Sequence, residues 1–163
     1  MGSQFAVGLL KAEVVATAEV YRRSMLMPVD LGRFRRWRPY SWSSEPFKVR
    51  PWPDLRDRFW DLADLNPEHL AMVEIIDSVV ARPATDRLVG NYTIGGLHVA
   101  DAAHREPPYS VITVEVYGPG PRGAPAVAVW HVSTSGLREE IVTPIDSAVP
   151  LFWRFVFEKF GST

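Results

Sequence analysis

Residues 109–118, YSVITVEVYG, and residues 126–136, AVAVWHVSTSG, decide the fold class of this chain. Both segments are rich in β-branched and aromatic residues and end in a glycine, a composition typical of β-strands. The segment between them, GPGPRGAP (118–125), contains too much glycine and proline for a helix or a central strand. Consecutive strands joined by a short loop pair antiparallel, so this stretch predicts the centre of an antiparallel sheet.

Further strands are predicted on both sides of this centre. One or two strands, interrupted at Gly95 and Gly96, are predicted within RLVGNYTIGGLHVAD (87–101). Another strand, which returns after a turn, is predicted within LREEIV (137–142). LKAEVVATAEV (10–20) alternates apolar and polar residues with a period of two, which favours a long strand over a helix.

Three helices are predicted around the sheet. A helical hairpin is expected across 53–82, with Pro53 at the first helical position and Asn66 capping the second helix. LFWRFVFEKF (151–160) is apolar over about half of its circumference, wider than the stripe of a surface helix, which indicates a core element or an oligomer contact. Pro150 is expected to separate an initial turn from this last helix.

The order of the elements predicts an α+β fold, because helices and strands do not alternate as they do in a doubly wound parallel sheet. We expect one domain over residues 1–163, in which a curved antiparallel sheet packs against the helical hairpin and the aromatic C-terminal helix. Either an open roll or a partly closed barrel fits this pattern.

Composition narrows the possible functions. The chain has 163 residues, of which 47% are hydrophobic and 23% charged, as in ordinary folded proteins. It has no cysteine, which excludes disulfides, thiolate nucleophiles and zinc sites with sulfur ligands. It also lacks an apolar run of about 20 residues and any phosphate-binding glycine motif. We therefore expect a cytoplasmic protein with no cofactor and no membrane partner.

Positive charge is concentrated in one part of the chain. Residues 21–60 contain ten Lys or Arg against four Asp or Glu, although the whole chain has a net charge of −1. The same window holds four of the six tryptophans, and its centre is GRFRRWRPYSW (32–42). The candidate binding residues within this centre are Arg33, Arg35, Arg36, Trp37, Arg38, Tyr40 and Trp42.

Four interpretations of this Arg/Trp block, residues 33–52, remain open. Its arginines can pair internally with the aspartates of the following helix, or its Arg and Trp side chains can form a protein interface or a contact in a homo-oligomer. In the third interpretation the block binds nucleic acid, and in the fourth it binds a small anionic ligand. Nucleic acid is disfavoured because the rest of the chain is acidic and no recognition motif accompanies the arginines.

Two groups of residues suggest chemistry. Glu115 and His131, expected on adjacent strands, can form an acid/base pair if both line one cavity. His98, Asp101 and His104 have side chains suited to a metal, although their spacing on a strand does not place all three on one face.

The leading hypothesis is a non-enzymatic protein-binding or regulatory module that uses the Arg/Trp block as its contact surface. The alternative is a small metal-independent lyase, isomerase or cyclase with an aromatic-lined pocket, in which Glu115 and His131 transfer protons to and from a small-molecule ligand.

Overall fold

The computed structural model describes residues 45–82, 86–119, 123–135 and 137–161. The strand predicted over 10–20 and the segment 32–42 lie outside the described residues.

The predicted helical hairpin is confirmed. Helix α1 (Trp52–Leu65) is followed by a 3₁₀ turn (Pro67–His69) and helix α2 (Leu70–Val80). The Asn66 side chain accepts a hydrogen bond from the backbone N–H of Glu68 at 3.0 Å and so caps the 3₁₀ turn, whereas the second helix begins only at Leu70. Pro53 is the second residue of α1, after Trp52. The two helices bury apolar side chains against one core, among them Leu55, Phe59, Met72, Ile75, Ile76 and Val79.

In the described residues the sheet is an antiparallel meander of five strands, in the order in which they occur along the chain. Their bounds are β1 (Leu88–Thr93), β2 (Gly96–Asp101), β3 (Val111–Pro119), β4 (Pro125–Val132) and β5 (Arg138–Pro144). Within this part of the chain the sheet is not closed, and the predicted α+β class is confirmed.

A two-residue turn separates β1 from β2. Thr93 pairs with Gly96, and the intervening Ile94 and Gly95 have φ angles of 27° and 89°. Positive φ at both central residues is typical of the tight hairpin turns that match strand twist. The segment 87–101 therefore forms two strands, with Gly95 in the turn and Gly96 opening β2.

The C-terminal helix α3 (Ala148–Phe160) is a core element. It follows a 3₁₀ turn (Ile145–Ser147) and buries Phe152, Trp153, Phe155 and Val156. The predicted break lies before Ala148 and not at Pro150, because a proline is tolerated in the first helical turn, where the backbone N–H has no intrahelical acceptor. Within the described ranges, no helix is long and apolar enough to span a membrane.

The two faces of the sheet have different surroundings. The helix-covered face carries apolar side chains that join the helical core, among them Leu97, Val99, Ile112, Val114, Val127 and Val129. The opposite face carries His98, Thr113, Glu115 and Trp130, together with apolar clusters that include Ala100, Val111, Ala128 and Val132. Most polar side chains of the sheet's centre therefore lie on the opposite face.

Candidate functional site

Glu115 and His131 are not brought together. Glu115 pairs with Ala128 across β3 and β4, whereas His131 pairs with Ile112. Directly paired residues share a face and neighbouring residues alternate, so Glu115 lies on the opposite face and His131 on the helix-covered face. The expected single cavity containing both groups is not formed, and the acid/base pair has no geometric support.

His131 is a buried histidine beneath α3. Its Nε2 atom has no hydrogen-bond partner among the described residues. The pKa of His131 is lowered to about 4, mainly by burial and also by the Lys159 ammonium, while the Glu139 carboxylate acts in the opposite direction. Lys159 and Glu139 form an ion pair with each other, joining α3 to β5 beside the imidazole. His131 is thus neutral at pH 7.

Of the predicted metal-binding residues, Asp101 and His104 lie close together, but His98 is separated from both. His98 is buried, and both of its ring nitrogens lie within hydrogen-bond distance of threonine hydroxyls. Asp101 accepts a hydrogen bond from the backbone N–H of Ala103, and its other oxygen lies 3.3 Å from Nδ1 of the exposed His104. Among the described residues, no three His, Asp or Glu side chains are grouped so as to hold a metal ion.

His98 instead connects two hydroxyl groups on the opposite face. Its Nε2 lies 2.6 Å from Thr93 Oγ1, and its Nδ1 lies 2.8 Å from Thr113 Oγ1. The Trp130 ring meets the imidazole edge to face, with 6.4 Å between ring centres. Burial lowers the pKa of His98 to about 4, so the imidazole is neutral at pH 7 and pairs with hydroxyls without a counter-charge.

Glu115 lies beside this cluster. It pairs with Gly96, and a Cβ atom placed on Gly96 would come within 3.0 Å of Glu115 Cγ and 3.3 Å of its Oε1. The Glu115 side chain therefore lies over the glycine, in space that a larger residue would occupy. It is partly exposed, and two residues further along β3 Tyr117 is exposed.

The binding residues predicted within the Arg/Trp block, Arg33, Arg35, Arg36, Trp37, Arg38, Tyr40 and Trp42, lie outside the described residues. The C-terminal end of the block is described, and it is attached to the edge of the sheet. The backbone N–H of Arg50 donates to the carbonyl of Gly90 at 2.9 Å, forming an antiparallel bridge to β1. Trp52 packs directly on Gly90.

A cationic and aromatic cluster is formed where this end of the block meets α1 and β1. The guanidinium of Arg50 lies 4.9 Å from the centre of the Tyr92 ring, and that of Arg58 lies 5.5 Å from it. Both arginines are exposed, and Tyr92 is partly buried. We call Arg50, Arg58 and Tyr92 the Tyr92 cluster.

The sequence did not identify Thr93 and Thr113 as the partners of His98. It also did not identify Arg58 and Tyr92 as the partners of Arg50. A signal for the contact between Thr93 and His98 was present in the two-residue turn Ile94–Gly95. If that turn fixes the hairpin register, Thr93 and His98 must share a face. The Tyr92 cluster has no comparable signal, because its three residues come from a bridge, a helix and a strand.

A comparison of this chain with protein-family models, with curated proteins and with solved structures found no match.

Proposed function

We propose that the protein is a binding module whose contact surface consists of the Arg/Trp block extended by Arg58 and Tyr92. The partner we propose is a protein surface rich in carboxylates, which includes a second copy of this chain. The alternative enzyme is not proposed, because Glu115 and His131 lie on opposite faces of the sheet.

The observation that carries this proposal is the Tyr92 cluster. Two exposed guanidinium groups lie against one tyrosine ring, and neither forms an ion pair with a described residue. By contrast, Arg56 pairs with Asp77 at 2.6 Å and Arg154 with Glu158 at 2.7 Å. The charges of Arg50 and Arg58 thus remain available to a partner.

Stacking on Tyr92 also prepares these arginines for binding. A guanidinium held against an aromatic ring loses less side-chain freedom when it meets a ligand, and its N–H groups can donate in pairs to a carboxylate. Arg and Tyr are among the residues that contribute most to protein interfaces. Val49, which is 45% exposed, adds an apolar contact beside Arg50.

A carboxylate partner fits the surroundings better than a nucleic acid does. Exposed aspartates line α1 close to the cluster, namely Asp54, Asp57, Asp61 and Asp64. They would repel a phosphate backbone, whereas a protein surface can place carboxylates on the arginines and basic groups beside the aspartates. In the described part of the chain none of the four aspartates forms an ion pair, so the same residues can also receive the arginines of a second copy.

The proposal is tested by fluorescence anisotropy of a labelled peptide that contains both glutamates and lysines, added to the full chain. The double variant Arg50→Gln/Arg58→Gln is compared with Arg56→Gln/Arg154→Gln, which loses the same charge from arginines that are already paired. We expect about a tenfold loss of affinity in the first variant, the equivalent of about 1.4 kcal/mol, and less than a twofold loss in the second.

Equal losses in the two variants would overturn the proposal, since they would show attraction by net charge alone. Tighter binding of a labelled single-stranded oligothymidylate than of the glutamate/lysine peptide would favour the nucleic-acid interpretation instead. Sedimentation velocity at low and high salt identifies a second copy as the partner, if the complex dissociates with salt and with Arg50→Gln/Arg58→Gln.

A further inference from the structure

We propose that Thr93 and His98 form a nucleophile and general-base pair, positioned by Thr113, that is reactive toward uncharged activated acyl esters. This inference goes beyond the binding function and concerns a different part of the surface. It rests on the three side chains at the β1–β2 hairpin and on their exposure.

The three side chains have the connectivity of a nucleophile, a base and an orienting group. Thr93 Oγ1 lies 2.6 Å from His98 Nε2, and His98 Nδ1 lies 2.8 Å from Thr113 Oγ1. If Nδ1 carries the proton, it donates to Thr113, and Nε2 presents its lone pair to the Thr93 hydroxyl. A hydroxyl hydrogen-bonded to an imidazole whose other nitrogen is held by a third group is the general signature of an activated nucleophile.

The three side chains are exposed to different degrees. The nucleophile is exposed and the base and its orienting group are buried, which is the order that a reactive site requires. Thr113 is fully buried, His98 is 4% exposed, and Thr93 is exposed at the end of β1. Ile94, the next residue at the tip of the turn, is fully exposed. A substrate therefore meets the hydroxyl while the base remains shielded from water.

The surroundings also indicate the charge of the substrate. The Glu115 carboxylate lies over Gly96, the residue paired with Thr93, on the same face as His98. It disfavours an anionic acyl donor through like-charge repulsion. Burial keeps His98 unprotonated at neutral pH, so its lone pair is available without prior deprotonation. An uncharged ester is the substrate class that fits both features.

In the proposed step, the Thr93 oxygen forms a bond to the acyl carbon, and the bond from that carbon to the leaving oxygen breaks. The Thr93 proton passes to His98 Nε2, and from there to the leaving alkoxide or to solvent. Water then hydrolyses the acyl-threonine, with His98 accepting the water's proton and returning a proton to Thr93. The products are the free acid and the alcohol.

The test treats the full chain with p-nitrophenyl acetate and maps the acetylated residues by mass spectrometry of peptides. We expect acetyl-Thr93 to accumulate faster than acetylation of Ser133 or Ser135. Ser135 is exposed and Ser133 is partly exposed, and their hydroxyls bond to each other at 2.7 Å with no imidazole in that bond, so they are an internal control in the unmodified protein. General-base assistance predicts a difference of up to about 10²-fold, the lower end of the usual range, because the lowered pKa makes His98 a weaker base than one that titrates near neutrality.

Variants separate the roles of the residues. Thr93→Ser should retain the reaction and Thr93→Ala should lose it, while Ser133→Ala leaves it unchanged. Thr113→Val should slow acetylation of Thr93, and the nitrogen NMR shifts of the His98 ring should show a change of tautomer; Thr113→Ser should restore both. These readouts distinguish a positioning role from a purely structural one.

Two results would overturn the inference. The first is acetylation of Thr93 no faster than that of Ser133 and Ser135 in the unmodified protein, which requires no folded variant. The second is unchanged labelling of Thr93 in a folded His98→Gln variant, as judged by its tryptophan fluorescence.

Discussion

Nδ1 of His98 lies 2.8 Å from Oγ1 of Thr113, and this bond joins the side chains of two central strands within the opposite face of the sheet. Thr113 is fully buried and His98 nearly so. A polar group buried without a partner costs about 1–3 kcal/mol, so the two side chains stabilise each other's burial.

Replacing Thr113 with valine tests this relationship. The substitution keeps the shape of the side chain and removes the hydroxyl, which leaves His98 Nδ1 without that partner. We expect the free energy of unfolding to fall by about 1–3 kcal/mol in urea denaturation at pH 7. Thr134→Val, in the exposed turn after β4, is the control and should change stability by less than about 0.5 kcal/mol. Equal effects of the two substitutions would contradict the prediction.

Stability should fall in mild acid because the folded state disfavours protonation of both buried histidines. Their folded-state pKa values are about 4, against 6.5 for an unperturbed histidine. As pH falls from about 6.5 to 4, the unfolded chain binds protons that the folded chain does not, and the free energy of unfolding decreases. Each histidine contributes about 3 kcal/mol to this decrease, and its contribution stops growing below about pH 4.

His131→Leu isolates one of these contributions. Leucine cannot be protonated, so the stability difference between variant and unmodified protein should grow in the variant's favour as pH falls from 7 to 4. At pH 7 the variant should be at least as stable, because it removes a buried nitrogen that lacks a hydrogen bond among the described residues. Guanidinium denaturation across this pH range measures both effects, and parallel stability curves would refute the prediction.

The indole N–H of Trp153 should be sensitive to loss of a single hydroxyl on α2. Trp153 Nε1 donates to Ser78 Oγ at 2.9 Å, and that hydroxyl donates to the carbonyl of Ile75 at 2.7 Å. Ser78→Ala leaves the buried indole without this acceptor, and we expect a loss of about 1–3 kcal/mol in thermal or urea unfolding. Ser78→Thr, which retains a hydroxyl, should recover part of the loss. Full stability of Ser78→Ala would contradict this account.

Gly90 should not tolerate a side chain, because α1 lies directly against it. A Cβ atom at this position would lie 2.6 Å from Leu55 Cδ1 and 2.8 Å from Trp52 Cζ3. Gly90→Ala is therefore expected to cost about 1–3 kcal/mol, as measured by chemical denaturation. Trp52→Leu in the Gly90→Ala background should recover part of that cost, whereas additive losses would show that the contact is not the cause.

The pattern of the sequence by itself determined the secondary structure and the fold class. The β-branched and aromatic segments and the Gly/Pro turns between them predicted strands β1–β5, and the prolines with Asn66 placed the helical hairpin, because these signals act over a few neighbouring residues. Alternation along β4 also puts His131 on the same face as Val127 and Val129, since it is a local property of one strand.

Only the tertiary structure decided which side chains meet. Alternation shows which residues share a face with Glu115 on β3 and which share a face with His131 on β4. Whether Glu115 and His131 lie on the same face depends on the register between the two strands, which no local signal specifies. The same holds for Thr113 with His98, which are 15 residues apart, and for Arg50 and Arg58 on Tyr92. Strand register and helix docking arise from packing of the whole core, so the candidate sites emerged only once the chain was folded.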